Sequence, residues 1–263
     1  MKSLVLPFNH ERWPLNLALQ YREKSDCLIF CIHGLGCAKE AFAGIWHRAE
    51  LSDFSIMIPD LVGFGESVKP SDFPYSMEAQ ARVCRLLADT FAGSDIIIVA
   101  HSMGAVIGLL LAELIADRLQ SFVMIEGNLI PQDCALVSSR TINYSFEDFK
   151  REGFNKLRSE IASSVKPGAQ LWLEWTKKAD CLAFYKSAQS LVKWSASNRL
   201  LPRFSQLPVG KVYFYGQENE DMDILQLMPD IKKIAISQSG HFVMNDNPAE
   251  FYPELAAFIR SVL

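Results

Sequence analysis

The sequence predicts an α/β protein in which a mostly parallel sheet carries helices on both faces. Continuous apolar segments, of the length of buried strands, alternate along the chain with segments in which apolar residues recur at helical spacing. Glycine or proline stops the first two apolar segments, as is typical of strands buried on both faces. The composition, with 263 residues of which 49% are hydrophobic and 21% charged, is that of a globular protein with a substantial core.

The N-terminal part begins with two short alternating segments, Ser3–Phe8 and Leu17–Tyr21, which we interpret as a hairpin-like pair of strands with Pro14 between them. Cys27–Ile32 is apolar throughout and predicts a strand buried on both faces. Lys39–Leu51 then predicts a helix.

The alternation continues through the first half of the chain. The next elements are a strand Phe54–Ile58, a helix capped by Ser76 and running to about Ala92, a strand Asp95–Ala100, a helix Ser102–Arg118 and a strand Ser121–Ile125.

The pattern changes after the sixth strand. From about Pro131 to Leu207 the sequence favours helices, and the alternation then resumes. The last elements are a strand Lys211–Tyr215, a short helix Asp223–Met228, a strand Ile231–Ile236 and a helix Pro248–Leu263. We therefore expect one sheet domain, residues 1–130 and 208–263, interrupted by a helical cap of residues 131–207.

Charge and cysteine usage exclude several classes of protein. The formal net charge is −4 and no basic stripe is present, so nucleic acid is not an expected partner. No apolar run reaches the roughly 18 residues of a membrane span, and the apolar run at the start is too short for a signal peptide. The six cysteines are scattered without a Cys-x-x-Cys pair, which favours reduced thiols in a cytoplasmic protein.

The junction between the fifth strand and the helix that follows it is the sharpest signal in the chain. Ser102 lies there, with Ala100 and Gly104 two residues to either side, one step from the G-x-S-x-G nucleophile elbow. Such a turn strains the backbone at the serine and leaves room for small residues alone at its flanks. The alternative is that Ser102 is a helix N-cap. We interpret it as a nucleophile because a strand precedes it and a helix follows.

Four motifs together resemble the α/β-hydrolase fold family over almost the full chain. They are His33-Gly34-Leu35-Gly36 after the third strand, Asp60-x-x-Gly63-x-Gly65-x-Ser67 after the fourth, the Ser102 elbow, and Ser239-Gly240-His241-Phe242 before the last helix. They occur in the family's order and at its usual distances.

The resemblance implies a general base and two oxyanion donors. A serine hydroxyl needs a base within hydrogen-bond reach, and the family places it in the loop that here contains His241. The backbone N–H groups of Leu35 and Met103 match the family's oxyanion donors. We expect His101 to be structural and His33 to shape its loop.

The acid departs from the commonest family pattern. Asn219 occupies the usual position after the seventh strand, and an amide does not neutralise an imidazolium. We favour Glu126, directly after the sixth strand, which resembles a minority of the family that includes some haloalkane dehalogenases and lipases. Glu126 has an alternative interpretation as a residue anchoring the cap. The reserve candidates for the acid crowd the later loop: Glu218, Glu220, Asp221 and Asp223.

These residues predict a serine hydrolase that cleaves a small, mainly apolar carboxylic ester or thioester through an acyl-enzyme. A serine nucleophile argues against the dehalogenases and epoxide hydrolases of resembling families, which use aspartate. The alternatives are a C–C bond hydrolase with the same residues and a ligand-binding or receptor protein without turnover. The serine hydrolase interpretation implies a small-molecule ester substrate, no metal or organic cofactor, and a monomer or homodimer. The large aromatic residues of the cap either line the substrate pocket or form the cap's own core: Trp172, Trp175, Phe184, Tyr185 and Trp194.

Overall fold

Eight strands form one sheet in a computed structural model that describes residues 1–90, 95–135 and 137–263. They are β1 Lys2–His10, β2 Trp13–Arg22, β3 Cys27–Ile32, β4 Ser55–Pro59, β5 Asp95–His101, β6 Leu119–Ile125, β7 Gly210–Gly216 and β8 Lys232–Ile236. The order across the sheet is β1-β2-β4-β3-β5-β6-β7-β8. β2 is antiparallel to both of its neighbours, and the pairs from β4 to β8 are parallel. The predicted α/β class with a mostly parallel sheet is therefore confirmed.

The helices between and after the strands are α1 Met77–Asp89, α2 Met103–Leu114, α3 Ser138–Ile142, α4 Phe146–Asp148, α5 Phe154–Ala162, α6 Pro167–Thr176, α7 Cys181–Ser195, α8 Leu200–Ser205, α9 Asp223–Gln226, α10 Val243–Asp246 and α11 Pro248–Ser261. Short 3₁₀ helices cover Lys39–His47, Ala49–Leu51, Pro131–Cys134 and Gln217–Asn219, and one π turn covers Phe149–Gly153. Helices α3 to α8 all lie between β6 and β7, and the described residues of that stretch contain no strand.

The core has two layers because alternate residues of a strand point to opposite faces of the sheet. Ile29 and Cys31 of β3 belong to the layer that contains the apolar side chains of α11. Phe30 and Ile32 belong to the layer formed with α1 and α2. Burial on both faces explains why β3 is a continuous apolar run rather than an alternating one.

The parallel strands bring their carboxyl ends to a single edge of the sheet, and the connecting loops meet there. Backbone hydrogen bonds continue one step past the ladder: Ser102 N donates to Ile125 O at 2.9 Å. In the same way, Glu126 N donates to Phe214 O at 3.0 Å. Backbone hydrogen bonds alone therefore fix Ser102 beside the end of β6 and Glu126 beside β7.

The hairpin prediction placed Pro14 between the strands, and this was wrong. Pro14 is the second residue of β2 and is paired with Asn9. The other neighbour of β2, strand β4, contacts it only at Leu19–Arg22, so the missing N–H of Pro14 interrupts no hydrogen bond on that side.

Two helix predictions also differ from the structure. The predicted helix Lys39–Leu51 is a pair of 3₁₀ helices, and α2 ends at Leu114 rather than at Arg118 because Ile115 leaves helical geometry with φ −126° and ψ 30°. Ser76 does cap α1, accepting a hydrogen bond from Ala79 N. The predicted end of that helix at Ala92 lies outside the described residues.

An ion network centred on the buried pair of Lys39 and Asp60, with the exposed Glu66 as a further member, supports the loops at the carboxyl edge. Lys39 Nζ lies 2.9 Å from carboxylate oxygens of both Asp60 and Glu66, and its backbone N–H donates to Asp60 at 2.6 Å. The side chains of Lys39 and Asp60 are 4% and 0% exposed. This network connects the loop after β3 to the loop after β4. Because a buried charge without its partner is costly, the connection should stabilise both loops.

We predict that Lys39→Met lowers the free energy of unfolding by about 3 kcal/mol, because it leaves the buried Asp60 carboxylate without a counterion. The control is Lys177→Met, which breaks an exposed ion pair with Glu174 and should cost below about 1 kcal/mol. Urea-induced unfolding of both variants measures the difference. Equal losses would show that the buried pair does not stabilise these loops.

Candidate active site

Ser102 lies on the sharp turn between β5 and α2. Its backbone angles are φ 54° and ψ −123°, a region that residues other than glycine rarely adopt. Ser102 is buried, with 9% of the residue exposed. The strained turn aims the hydroxyl at the carboxyl edge of the sheet rather than back into the helix.

Gly104 permits this turn because the start of α2 lies against the end of β3. A Cβ atom at Gly104 would lie 2.3 Å from Ile32 O and 2.7 Å from His33 O. Both obstacles are backbone atoms, which cannot move aside as a flexible side chain would. The close approach explains the small residue that the sequence pattern places two positions after Ser102.

Glu126 contacts His241 directly. His241 Nδ1 and Glu126 Oε2 are 2.7 Å apart, with the Glu126 side chain 2% exposed and His241 40% exposed. Two further groups donate to the same carboxylate: Asn219 Nδ2 at 2.8 and 2.9 Å and Gly216 N at 2.8 Å. Burial by itself would raise the pKa of Glu126, but these hydrogen bonds outweigh it and hold the pKa below its ordinary value.

The acids of the later loop form no hydrogen bond or ion pair with His241 in the part of the chain that the structure describes. Glu218 is exposed and pairs with Lys166, and Glu220, Asp221 and Asp223 are exposed. Asn219, at the family's usual acid position, donates to both oxygens of Glu126. The amide therefore orients the carboxylate rather than the imidazole.

The Ser102 hydroxyl donates to Asn128 Oδ1 at 3.3 Å. Within the described residues no hydrogen bond joins Ser102 to His241, although both line one cavity. Asn128 is itself fixed, since its Nδ2 donates to Asp133 O at 2.6 Å. Sequence reasoning missed Asn128. Its position two residues after Glu126, at the end of β6, was the available signal.

The two buried histidines, His33 and His101, hold backbone in place. His101 Nε2 lies 2.9 Å from His241 O, and burial followed by proximity to His241 holds the pKa of His101 well below its ordinary value. His33 Nε2 accepts from Leu61 N at 3.0 Å, and burial lowers its pKa as well. Both rings stay neutral at ordinary pH, in keeping with the structural roles expected for them.

The two amides expected to bind an oxyanion lie close to Ser102. Met103 is the first residue of α2, so its N–H has no acceptor within the helix. Leu35 follows Gly34, where a Cβ would lie 3.1 Å from Ser102 Cβ. Leu35 O accepts a hydrogen bond from Trp172 Nε1 at 2.9 Å, a contact that the sequence does not predict.

A cavity of about 860 Å³ is lined by Leu35, Ser102, Glu126, Asn128 and His241, among others. Helices of the 131–207 stretch supply one wall, including Leu157, Ile161 and Trp172. Of the five cap aromatics, Trp172 lines the cavity, whereas Phe184 is fully buried in the core. Where residues are described, no group of three or more His, Cys, Asp or Glu side chains is placed to hold a metal ion. Nor does any described helix combine the length and hydropathy that a membrane span requires.

Comparison with known proteins identifies the family. The model of the alpha/beta hydrolase family matches residues 29–254, so the chain belongs to that family. Lipase 1 of Psychrobacter immobilis is 34% identical over 100 residues, which are 38% of this chain and 31% of that protein. Lipase 3 of Moraxella sp. (strain TA144) is 28% identical over 136 residues, which are 46% of this chain and 42% of that protein. The chain thus matches less than half the length of these relatives.

Solved structures share the fold across the whole chain. A thermophilic esterase from Thermogutta terrifontis has a TM-score of 0.80 at 20% identity, covering 100% of this chain and 99% of that one. The N-acyl homoserine lactonase AidH, complexed with N-butanoyl homoserine, has a TM-score of 0.77 at 17% identity, covering 100% and 97%. At these identities the likeness establishes the fold.

We predict that the stabilising effect of Glu126 depends on pH. A carboxylate whose pKa is lowered by folding stabilises the native state above its ordinary pKa and loses that effect as the pH falls through its folded value. Glu126→Gln should therefore cost about 2 kcal/mol of unfolding free energy at neutral pH, and the difference from wild type should shrink below about pH 4.

Urea-induced unfolding at several pH values measures this difference, with Glu218→Gln, an exposed residue of the same type, as the control. A difference for Glu126→Gln that stays constant with pH would contradict the assigned direction of the pKa shift.

Proposed function

We propose that this protein is a serine hydrolase of carboxylic esters or thioesters, with Ser102 as nucleophile, His241 as base and Glu126 as acid. The observation that carries the proposal is the buried Glu126 carboxylate, which holds His241 at 2.7 Å in the cavity lined by Ser102. The lipases among its relatives support ester hydrolysis as the reaction class.

The first half of the reaction forms an ester between enzyme and substrate. Rotation about the Cα–Cβ bond of Ser102 moves its hydroxyl from Asn128 towards Nε2 of His241, as active-site hydrogen bonds commonly tighten once substrate binds. Oγ of Ser102 then attacks the carbonyl carbon while its proton passes to Nε2. Collapse of the tetrahedral intermediate breaks the bond to the leaving alcohol or thiol, which takes that proton from His241.

The second half restores the enzyme. Water gives a proton to Nε2 of His241 and attacks the acyl carbon, and the acid product leaves as the proton returns to Ser102 Oγ. The net reaction consumes one water molecule and yields an acid and an alcohol or thiol. It requires no metal or organic cofactor.

Glu126 and the two amides would stabilise the charges that develop. The carboxylate fixes the imidazole with Nδ1 as donor and stabilises the imidazolium. The low pKa of Glu126 keeps it ionised for this role. The amides of Leu35 and Met103 would bind the oxyanion, where one donor typically contributes about 3 kcal/mol of transition-state stabilisation.

The cavity supports a small, mainly apolar substrate. At about 860 Å³ it lies within the usual size range of small-molecule sites, and the side chains of Leu157, Ile161 and Trp172 give its wall an apolar character. In this proposal residues 131–207 act as a cap that excludes water from Ser102.

A fluorophosphonate probe, together with p-nitrophenyl esters of rising acyl length, tests the proposal. Wild type should label stoichiometrically and hydrolyse the short esters, because the base activates the nucleophile. Ser102→Ala should lose labelling and at least about 10³-fold of turnover. Ser163→Ala, an exposed serine outside the cavity lining, is the matched control and should retain both.

Other outcomes separate the alternatives. A folded wild type that neither labels nor turns over would favour a ligand-binding member of the family. Labelling without ester turnover, together with cleavage of a C–C bond beside a ketone, would assign the same residues to the other reaction.

A further inference from the structure

Helix α6 reaches both of the loops that carry the proposed machinery at the carboxyl edge. Near its middle, Trp172 Nε1 donates to Leu35 O at 2.9 Å. At its N-terminal end, Gly168 N donates to Asp246 Oδ1 at 2.8 Å. The second oxygen of Asp246 accepts from Gly240 N, the residue before His241, at 3.1 Å. One helix is thus hydrogen-bonded to the Leu35 loop directly and to the His241 loop through a single carboxylate.

These contacts are close-packed rather than incidental. A Cβ atom at Gly168 would lie 2.3 Å from Phe242 Cβ, so the start of α6 presses against the residue after His241. A Cβ at Gly36 would lie 3.0 Å from Trp172 Nε1, so the indole abuts the loop after β3. The rings of Trp172 and Phe242 are 5.8 Å apart and connect the two contacts along the helix.

We infer that α6 holds the Leu35 loop and the His241 loop in a fixed position relative to each other, with Trp172 and Asp246 as positioning residues. This inference rests on the proposed function, and it extends that function from the residues that react to those that place them. Neither residue touches the reacting atoms in the proposed mechanism. They act through the backbone at Leu35 and Gly240.

Fixing these two backbone points affects the transition state more than the bound substrate. The oxyanion forms only as Ser102 attacks, so a displaced Leu35 amide weakens an interaction that the ground state does not make. A misplacement of about 1 Å can cost about 10²-fold in rate. Loss of a hydrogen bond that orients the donor, rather than of the donor itself, should cost less than that.

The test compares two tryptophans of the same helix. Trp172→Phe removes the indole N–H while keeping an aromatic ring against Phe242, and we expect kcat to fall about tenfold with KM changed by less than about twofold. Trp175→Phe is the matched control, because Trp175 is buried one turn further along, packs on the same Phe242 and does not line the cavity. It should leave kcat within about twofold of wild type. Fluorophosphonate titration counts the active sites in each sample.

A variant of Asp246 provides a second, separate test. Asp246→Asn keeps the shape but leaves one acceptor oxygen for two N–H donors, so kcat should also fall several-fold. Because both contacts act through one helix, the double variant Trp172→Phe/Asp246→Asn should lose less than the product of the single losses. If the two residues had unrelated structural roles, the two losses in kcat would instead multiply.

Each outcome decides a separate question. A wild type that neither labels nor turns over would defeat the proposed function itself. An active wild type in which Trp172→Phe equals Trp175→Phe in kcat would overturn the inference alone. Multiplicative losses in the double variant would also overturn it. Should Trp172→Phe fail to fold, an Asp246→Asn chain with unchanged kcat suffices to contradict it.

Discussion

The hydrogen bond between Glu126 and His241 is the interaction on which the rest of the site depends. It joins the end of β6 to the loop after β8, two elements that lie more than 100 residues apart along the chain. The carboxylate is buried, so it persists as an anion only because His241, Asn219 and Gly216 all donate to it. Three adjacent parallel strands, β6, β7 and β8, bring these groups to one edge of the sheet. The fold therefore determines which side chains can meet there.

The proposed chemistry also depends on groups that take no part in it. The strained turn at Ser102 is possible because Gly104 lets the start of α2 approach β3, and the loop after β3 is held by the Lys39 network. Helix α6 is hydrogen-bonded to the loop after β3 directly and to the loop after β8 through Asp246. The cavity thus lies between the carboxyl edge of the sheet and a helical segment that contacts the backbone of Leu35 and, through Asp246, that of Gly240 beside His241. Substrate selectivity in this account comes from the helical segment, and reactivity comes from the sheet edge.

Much of the sheet could be predicted from the pattern of apolar residues, since a strand buried on both faces, such as Cys27–Ile32, is a continuous apolar run. Pro14 was misplaced because a strand tolerates proline at a position that has no neighbouring strand on one side, which local pattern alone does not reveal. The contact of Glu126 with His241 was anticipated because the position of Glu126, directly after the sixth strand, resembles that of the acid in a minority of the family. Asp246 could not be anticipated, because its role depends on loop backbone that has no periodic signature. Asn219 shows a further limit: its position suggested a lost acid, whereas its amide supports the acid on the adjacent strand.

The most direct test of the central claim is the turnover of a p-nitrophenyl ester by Glu126→Gln against Asp221→Asn, the latter from the loop where the family more often places its acid. The account predicts that Glu126→Gln lowers kcat by about 10³-fold or more, since the imidazolium loses its stabilising charge. Asp221→Asn should stay within about threefold of wild type, because its exposed carboxylate lines the cavity but forms no hydrogen bond or ion pair with His241 in the described part of the chain. The reverse ranking would move the acid to the later loop and contradict the assignment of Glu126.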